Sequence, residues 1–495
     1  MRTISAGRFS LENDLKFDPI DVLQCPQCEG PLRREAVALV CEGCANQTPY
    51  RDCIIDFVQD SARTKLDDID YDQFYRISEP AARQLVENMR ESAIRHWPLS
   101  LGRVIEIGAG TGGATMGLAA TVQFEHLLIT DISRKMLGLC QRNLRAANLL
   151  RTHDMTFVTY GTTQKCFRSS SFDSAVGSAV LHHITDVQAF LSDLARILKP
   201  SAVAFFIEPG LRFHRALAAM LSDIVAGLIR EGVRYDDAAI VRMCNWIAET
   251  RCNIINQGDL EFLATREDKH LFVAEDIEKL GLSSGFGESF AQPFGADPTG
   301  EATLRTYLSQ SGVEQAMIDR ACAAIPLHSA KYMDLLGPLD KAPTYILGFV
   351  KTEAVRPSKR KTSFQSKREI IAECTTPVRA YLTVTRKNGS PRSALSIGGW
   401  LVSRADVKSL VVDCGSAKLS LPVWLPRPDV QFVMNEAGEM PAINVLCSGV
   451  AGQIEVETAC GALDVAFHAL TTDGAAIPLG RVALGAHQEQ AVVVS

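Results

Sequence analysis

The stretch from Glu106 to Gly113, Glu-Ile-Gly-Ala-Gly-Thr-Gly-Gly, is the strongest constraint on what this chain can fold into. An apolar run enters it as a strand and TGGATMGLAATV leaves it as a helix, so the glycines mark a strand–turn–helix unit. Glycines let the backbone turn sharply and approach a ligand, and the free N–H groups at the helix start favour a carboxylate or phosphate. The same rhythm continues downstream. HLLITDIS, MTFVTY, SAVGSAV and AVAFFIEP read as strands, SRKMLGLCQRNLRAANL and FLSDLARILK as helices. This alternation predicts an α/β fold with a doubly wound, largely parallel sheet.

Asp131 closes the strand after the glycine loop, roughly twenty positions beyond Gly112, where a carboxylate can accept hydrogen bonds from ribose hydroxyls. Dinucleotides and S-adenosylmethionine both use such a residue, so both ligand classes stay open on Asp131 alone. Glu106 separates them better. A phosphate loop gains little from a carboxylate just before it, whereas a ligand carrying an ammonium and a sulfonium gains more.

With these residues the chain resembles the class I S-adenosylmethionine-dependent methyltransferases, which have a Rossmann-like sheet. SFDSAVGSAVLHHITD is similar to that family's fourth-strand segment, and LARILKPSAVAFFIEP to its Leu-Lys-Pro turn into the fifth strand. The resemblance implies that Glu106, Gly108, Ala109, Gly110, Thr111 and Gly112 line the methionine end of the donor. It further implies that Asp131 holds the ribose, Ile132 packs on adenine and Ser178 lies beneath the cofactor. One departure stands out: the family often places an Asp after its third strand for the adenine amino group, and here Tyr160-Gly161-Thr162-Thr163 follows. A hydroxyl or a backbone carbonyl is expected to substitute.

Methyl transfer from a sulfonium is largely in-line positioning, with a base where the nucleophile carries a proton. His182 and His183, just past the fourth strand, are the candidate bases. The alternative is that both simply close the strand, with ring nitrogens bonded to backbone. Tyr71, Tyr75 and His214 are weaker candidates from flanking segments. No Asn/Asp-Pro-Pro-Tyr sequence follows the fourth strand, which lowers the expectation of a planar amide or amino acceptor.

Cys25-x-x-Cys28 and Cys41-x-x-Cys44 present four thiolates on two tight turns, the spacing of a closed, structural zinc site. A redox pair or unligated thiols are the alternatives. A unit of about forty residues has little core of its own, which gives a metal a structural reason to be there. The segment resembles the small zinc ribbons related to the activator subunit of tRNA and protein methyltransferases. Leu23-Gln24-Cys25-Pro26-Gln27-Cys28 and Tyr50-Arg51-Asp52-Cys53-Ile54 carry that likeness, with Cys53 where a glycine is usual. Similar ribbons precede some ribosomal-RNA methyltransferase domains, so RNA enters as an alternative acceptor.

The expected organisation is a leader (1–20), a zinc ribbon (21–60), a methyltransferase domain (61–352), a basic linker (353–373) and an all-β sandwich (374–495). Within the methyltransferase domain a helical insertion (about 211–262) could cover the ligand-binding edge of the sheet, and one further helix is expected near 302–323. Trp400 and Trp424 in the sandwich could stack on a sugar, although such residues are more often core. Fifty-one basic against fifty-seven acidic residues give a net charge of −6, so no global attraction to nucleic acid is expected. No apolar run is long enough to span a bilayer, and the amino terminus lacks a signal-peptide core, so the cytoplasm is the expected address. The reading is methyl transfer from S-adenosylmethionine to a small-molecule or glycan-type acceptor. The alternatives are RNA methylation and a non-catalytic scaffold.

Overall fold

The computed structural model describes residues 17–58, 76–151, 154–257, 259–352, 378–387, 392–415, 417–427, 430, 444, 447–457, 463–484 and 489–494. Most of the leader, Tyr71, Tyr75 and the basic linker lie outside these residues. Two compact units result. One comprises 1–209, 272–294 and 344–357, and the other 210–271, 295–343 and 358–495.

The first unit is built on one eleven-stranded sheet. Its strands are β1 (Leu32–Arg34), β2 (Ala38–Cys41), β3 (Gln47–Arg51), β4 (Ile54–Asp56), β5 (Arg103–Ile107), β6 (His126–Asp131), β7 (Met155–Thr159), β8 (Phe172–Ser178), β9 (Leu198–Pro209), β10 (Glu288–Phe294) and β11 (Thr344–Val350). The order across the sheet is β1-β2-β3-β4-β7-β6-β5-β8-β9-β11-β10. From β4 to β9 all neighbours are parallel, and β11 and β10 close the far edge antiparallel. The predicted strands fall where expected because each is a short apolar run buried on both faces, as parallel strands must be. The helices between them start at side-chain caps. Ser133 accepts from the Met136 N–H and Asp186 from the Ala189 N–H.

The cysteine-bearing segment is not separate from this sheet. β1 to β3 form an antiparallel meander, a tight turn at Asp52-Cys53 reverses the chain, and β4 then pairs parallel with β7. Asp52 and Cys53 sit at φ +53° and +61°, which accounts for the glycine usual at this point and places Cys53 in the turn.

In the second unit, helices Leu211–Arg230 and Ala238–Ile255 bury Leu217, Met220, Leu221, Ile224, Leu228, Ile240, Met243 and Ile247 in one cluster. Ile254, read as part of the same stripe, is only half-buried. The single helix expected near 302–323 is two, Glu301–Gln310 and Gln315–Ala323, because Gly312 takes φ +73° and ends the first. The sandwich has strands β12 (Val378–Lys387), β13 (Arg392–Ser403), β14 (Val407–Asp413), β15 (Lys418–Pro422), β16 (Gly449–Glu457), β17 (Leu463–Thr471), β18 (Ala476–Leu484) and β19 (Glu489–Val494). They form two antiparallel sheets, β16-β13-β12-β19 and β15-β14-β17-β18. Trp400 packs on Val402 and Val430, while Trp424 packs on the helical cluster beneath the Arg266 guanidinium. Both rings are therefore engaged in packing.

Candidate active site

Every residue predicted from the glycine loop lies along the carboxyl-terminal ends of β5, β6 and β8. Gly108, Gly110 and Gly112 all take positive φ, which explains three glycines within five positions. Two of them are fixed by crowding: a Cβ on Gly108 would meet Val180 at 2.4 Å, and one on Gly112 would meet Cys140 at 2.7 Å. Gly110 differs, since nothing lies within 4 Å of where its Cβ would stand. The helix Gly113–Thr121 then begins at Gly112 without a side-chain cap. Ala109 and Thr111 are buried; the Ala109 N–H donates to the Thr130 carbonyl, and the Thr111 carbonyl accepts from Asn143.

Glu106 is 1% exposed. Its Oε2 accepts from the Thr115 hydroxyl at 2.8 Å, and Oε1 is buried without a hydrogen-bond partner among the described residues. Burial, reinforced by the negative charge of Asp131, lifts its carboxyl to about 7. A buried carboxylate oxygen lacking a donor suits a cation. Asp131, at the tip of β6, accepts from the Gly110 N–H at 2.9 Å and the Ser133 N–H at 2.8 Å, which ties the acid to the glycine loop. Ile132 beside it is 43% exposed, an apolar side chain offered at the strand tip.

Ser178 ends β8, and the chain then turns through Ala179 at φ +55° into the short 3₁₀ turn Leu181–His183. This turn is organised by Glu208, a fully buried carboxylate near the end of β9 that sequence reasoning passed over. Its Oε1 accepts from the N–H groups of Val180 (3.0 Å) and Leu181 (2.7 Å), and its Oε2 from that of His182 (3.2 Å). The same Oε2 lies 2.7 Å from His182 Nδ1. The Nδ1 side of the His182 ring is thus held by a carboxylate. The two histidine rings lie 4.0 Å apart and tilted, so His183 backs His182. The available signal was an acid closing the otherwise apolar run Ala202–Ile207. His214 is elsewhere, in the second unit, bonded to the Gly210 carbonyl and the Tyr307 hydroxyl.

At the other edge the four Sγ atoms of Cys25, Cys28, Cys41 and Cys44 all lie within 4.8 Å of one another. Cys25 and Cys44 are 3.6 Å apart and Cys28 and Cys41 3.4 Å. Each Cys-x-x-Cys turn ends in a positive-φ residue, Glu29 and Ala45, and the Gly43 N–H donates to the Cys41 sulfur.

Residues 105–204 match a protein family described as a methyltransferase domain. A reducing polyketide synthase of Preussia isomera is 33% identical over 101 residues, 20% of this chain and 4% of that protein. The ubiquinone/menaquinone biosynthesis C-methyltransferase of Wigglesworthia glossinidia brevipalpis is 24% identical over 107 residues, 21% of this chain and 42% of its own. Among solved structures, the complex between the Haloferax volcanii Trm112 methyltransferase activator and a methyltransferase covers 59% of this chain and 100% of that one, at 15% identity and a TM-score of 0.33. The chain thus spans 4% and 42% of the length of the two curated relatives. No helix among the described residues is long and apolar enough to cross a membrane.

Proposed function

We propose, from a methyltransferase domain over residues 105–204, that this chain transfers a methyl group from S-adenosylmethionine to a small-molecule acceptor, with carbon as the methylated atom. The residues present fit the donor. The donorless Oε1 of Glu106 suits its ammonium, the clear space at Gly110 accommodates it against bare backbone, and Asp131 and Ile132 offer an acceptor and an apolar wall for its nucleoside. When bound, the donor supplies an electrophilic methyl on a sulfonium.

The observation that carries the acceptor reading is the His182–Glu208 pair. With Glu208 accepting at Nδ1–H, His182 presents Nε2 as its basic nitrogen. Glu208 is itself fixed by three backbone N–H groups, so the ring is held in one tautomer and one direction. Nε2 takes the proton from a carbon acid next to a carbonyl. The resulting enolate carbon bonds to the methyl, and the electron pair of the broken C–S bond stays on sulfur. A carbon acceptor also agrees with the ubiquinone/menaquinone biosynthesis C-methyltransferase among the relatives. For the ribbon, sulfur separations of 3.4 and 3.6 Å support a structural zinc, since tetrahedral Zn–S bonds of about 2.3 Å put sulfurs about 3.8 Å apart.

The test uses calorimetry with S-adenosylmethionine and transfer of labelled methyl to acetoacetyl-N-acetylcysteamine, a small β-ketothioester. Saturable donor binding is expected, lost in Gly110→Arg and kept in His182→Gln. Transfer is expected to fall about 10²- to 10⁴-fold in His182→Gln. Absence of donor binding would favour the scaffold, and label in RNA rather than in the thioester would overturn the small-molecule reading.

A further inference from the structure

The two oxygens of Glu106 are treated differently, and the cause lies on two neighbouring helices. The helix Gly113–Thr121 carries Thr115 in its first turn, where a backbone N–H has no acceptor within the helix. Both donors of Thr115 turn to the same carboxylate. The hydroxyl reaches Oε2 at 2.8 Å, and hydroxyl and N–H alike draw the Glu106 carboxyl down against the lift of burial.

A hydroxyl has one proton to give and two lone pairs to receive, so the direction of this bond depends on what lies behind Thr115. Behind it stands Cys140, on the helix Arg134–Ala146, whose Sγ donates to Thr115 Oγ1 at 3.5 Å. Cys140 is fully buried. Burial and the charges of Glu106 and Asp131 push its thiol up, so the sulfur keeps its proton. The chain of bonds therefore runs one way, from thiol to hydroxyl to Oε2. It is also held in place. The Sγ lies 2.7 Å from where a Cβ on Gly112 would stand, and the fully buried, β-branched Thr115 has few side-chain positions open to it in a helix. Asp131 from β6 and Cys140 are the titratable groups facing the carboxylate, while its neighbours in the sheet, Ile129 and Val176, are apolar. With Oε2 taken, Oε1 is the oxygen left buried without a partner among the described residues.

We propose that Thr115 is a positioning residue for donor binding: backed by Cys140, its hydroxyl fixes the Glu106 carboxylate by Oε2, so that Oε1 is the oxygen offered to the donor's ammonium. This rests on the donor reading above and adds to it a residue that acts on the donor only through Glu106. Without the hydroxyl the carboxylate loses a partner that favours its ionised form, and a protonated acid has little attraction for an ammonium.

The test is calorimetry with S-adenosylhomocysteine and with its deamino analogue, the same thioether ending in a plain butanoate. The wild-type chain is expected to prefer the amino compound by about 10-fold or more, as for a hydrogen bond to a charged acceptor. Thr115→Val is expected to lose about 10-fold for that compound and less than about twofold for the analogue, and Thr115→Ser to restore both values. In Thr115→Val the affinity for the amino compound should also level off about one pH unit higher than in the wild type. Thr115→Ala, with a good helix former, is expected to match the valine variant and replaces it if that variant does not fold. Equal losses for the two compounds, or a loss of one size at every pH, would mark a merely structural residue and overturn the proposal. Equal wild-type affinity for the two compounds overturns it without any variant. Failure of the wild-type chain to bind either compound sinks the donor reading itself, a distinct result.

Discussion

Burial and the charge of Asp131 raise the Glu106 carboxyl from the ordinary 4.5 to about 7, while its bond to Thr115 pulls the other way. Between those values the folded chain keeps a proton that the unfolded chain has released, so the ligand-free protein loses stability as pH rises across that window. A cationic donor reverses the preference, because its ammonium is attracted to the ionised carboxylate. Donor binding is therefore expected to release a proton, and affinity to climb by up to about tenfold per pH unit between roughly pH 5 and 7. Calorimetry in buffers of different ionisation heat reads the released proton directly, and Glu106→Gln should remove both the release and the slope. Glu106 and Asp131 were legible because each is an acid ending a recognisable strand beside the glycines. Glu208 was not, since its meaning depends on a partner 26 positions away that only the strand order brings near.

For single elements, spacing was the readable quantity. Two Cys-x-x-Cys pairs announce a four-sulfur cluster whatever lies around it, and the sulfurs do converge. What spacing could not show is that the ribbon's last strand becomes a parallel neighbour of β7. β4 is three residues long, too short to display a period, and its partner is about a hundred positions downstream. The consequence is testable. Because β4 is hydrogen-bonded into the main sheet and Asp52 pairs with Arg134, loosening the cluster should loosen the whole first unit. Cys41→Ser is expected to lower bound zinc and the unfolding temperature together, by roughly 5 °C or more. Elemental analysis with scanning calorimetry checks both, and a fall in zinc with an unmoved transition would mean that the ribbon unfolds on its own.

At the scale of the molecule, the alternation of strands and helices announced the sheet, and the change of texture beyond 374 announced the sandwich. The two-unit division was not legible, since it joins segments far apart in sequence. Within the second unit the sandwich loops and the helices share one core. Cys447 belongs to the helical cluster, and buried Arg251 donates to its carbonyl at 2.9 Å. Arg251→Ala leaves that carbonyl without its donor and is expected to cost about 1–3 kcal/mol, read as a fall of a few degrees in the transition that contains both helices and sandwich. Two separate transitions in the parent protein would contradict a shared core. The placement of β4 has a further consequence during synthesis. Ile54 leaves the ribosome about a hundred residues before Phe157, opposite which it will lie, so at about 5–20 residues per second it waits on the order of 5–20 s with that flank bare. All four sulfurs have been translated by residue 44, and a metal ion captured in that interval would hold the meander in shape until the nascent sheet arrives to receive it.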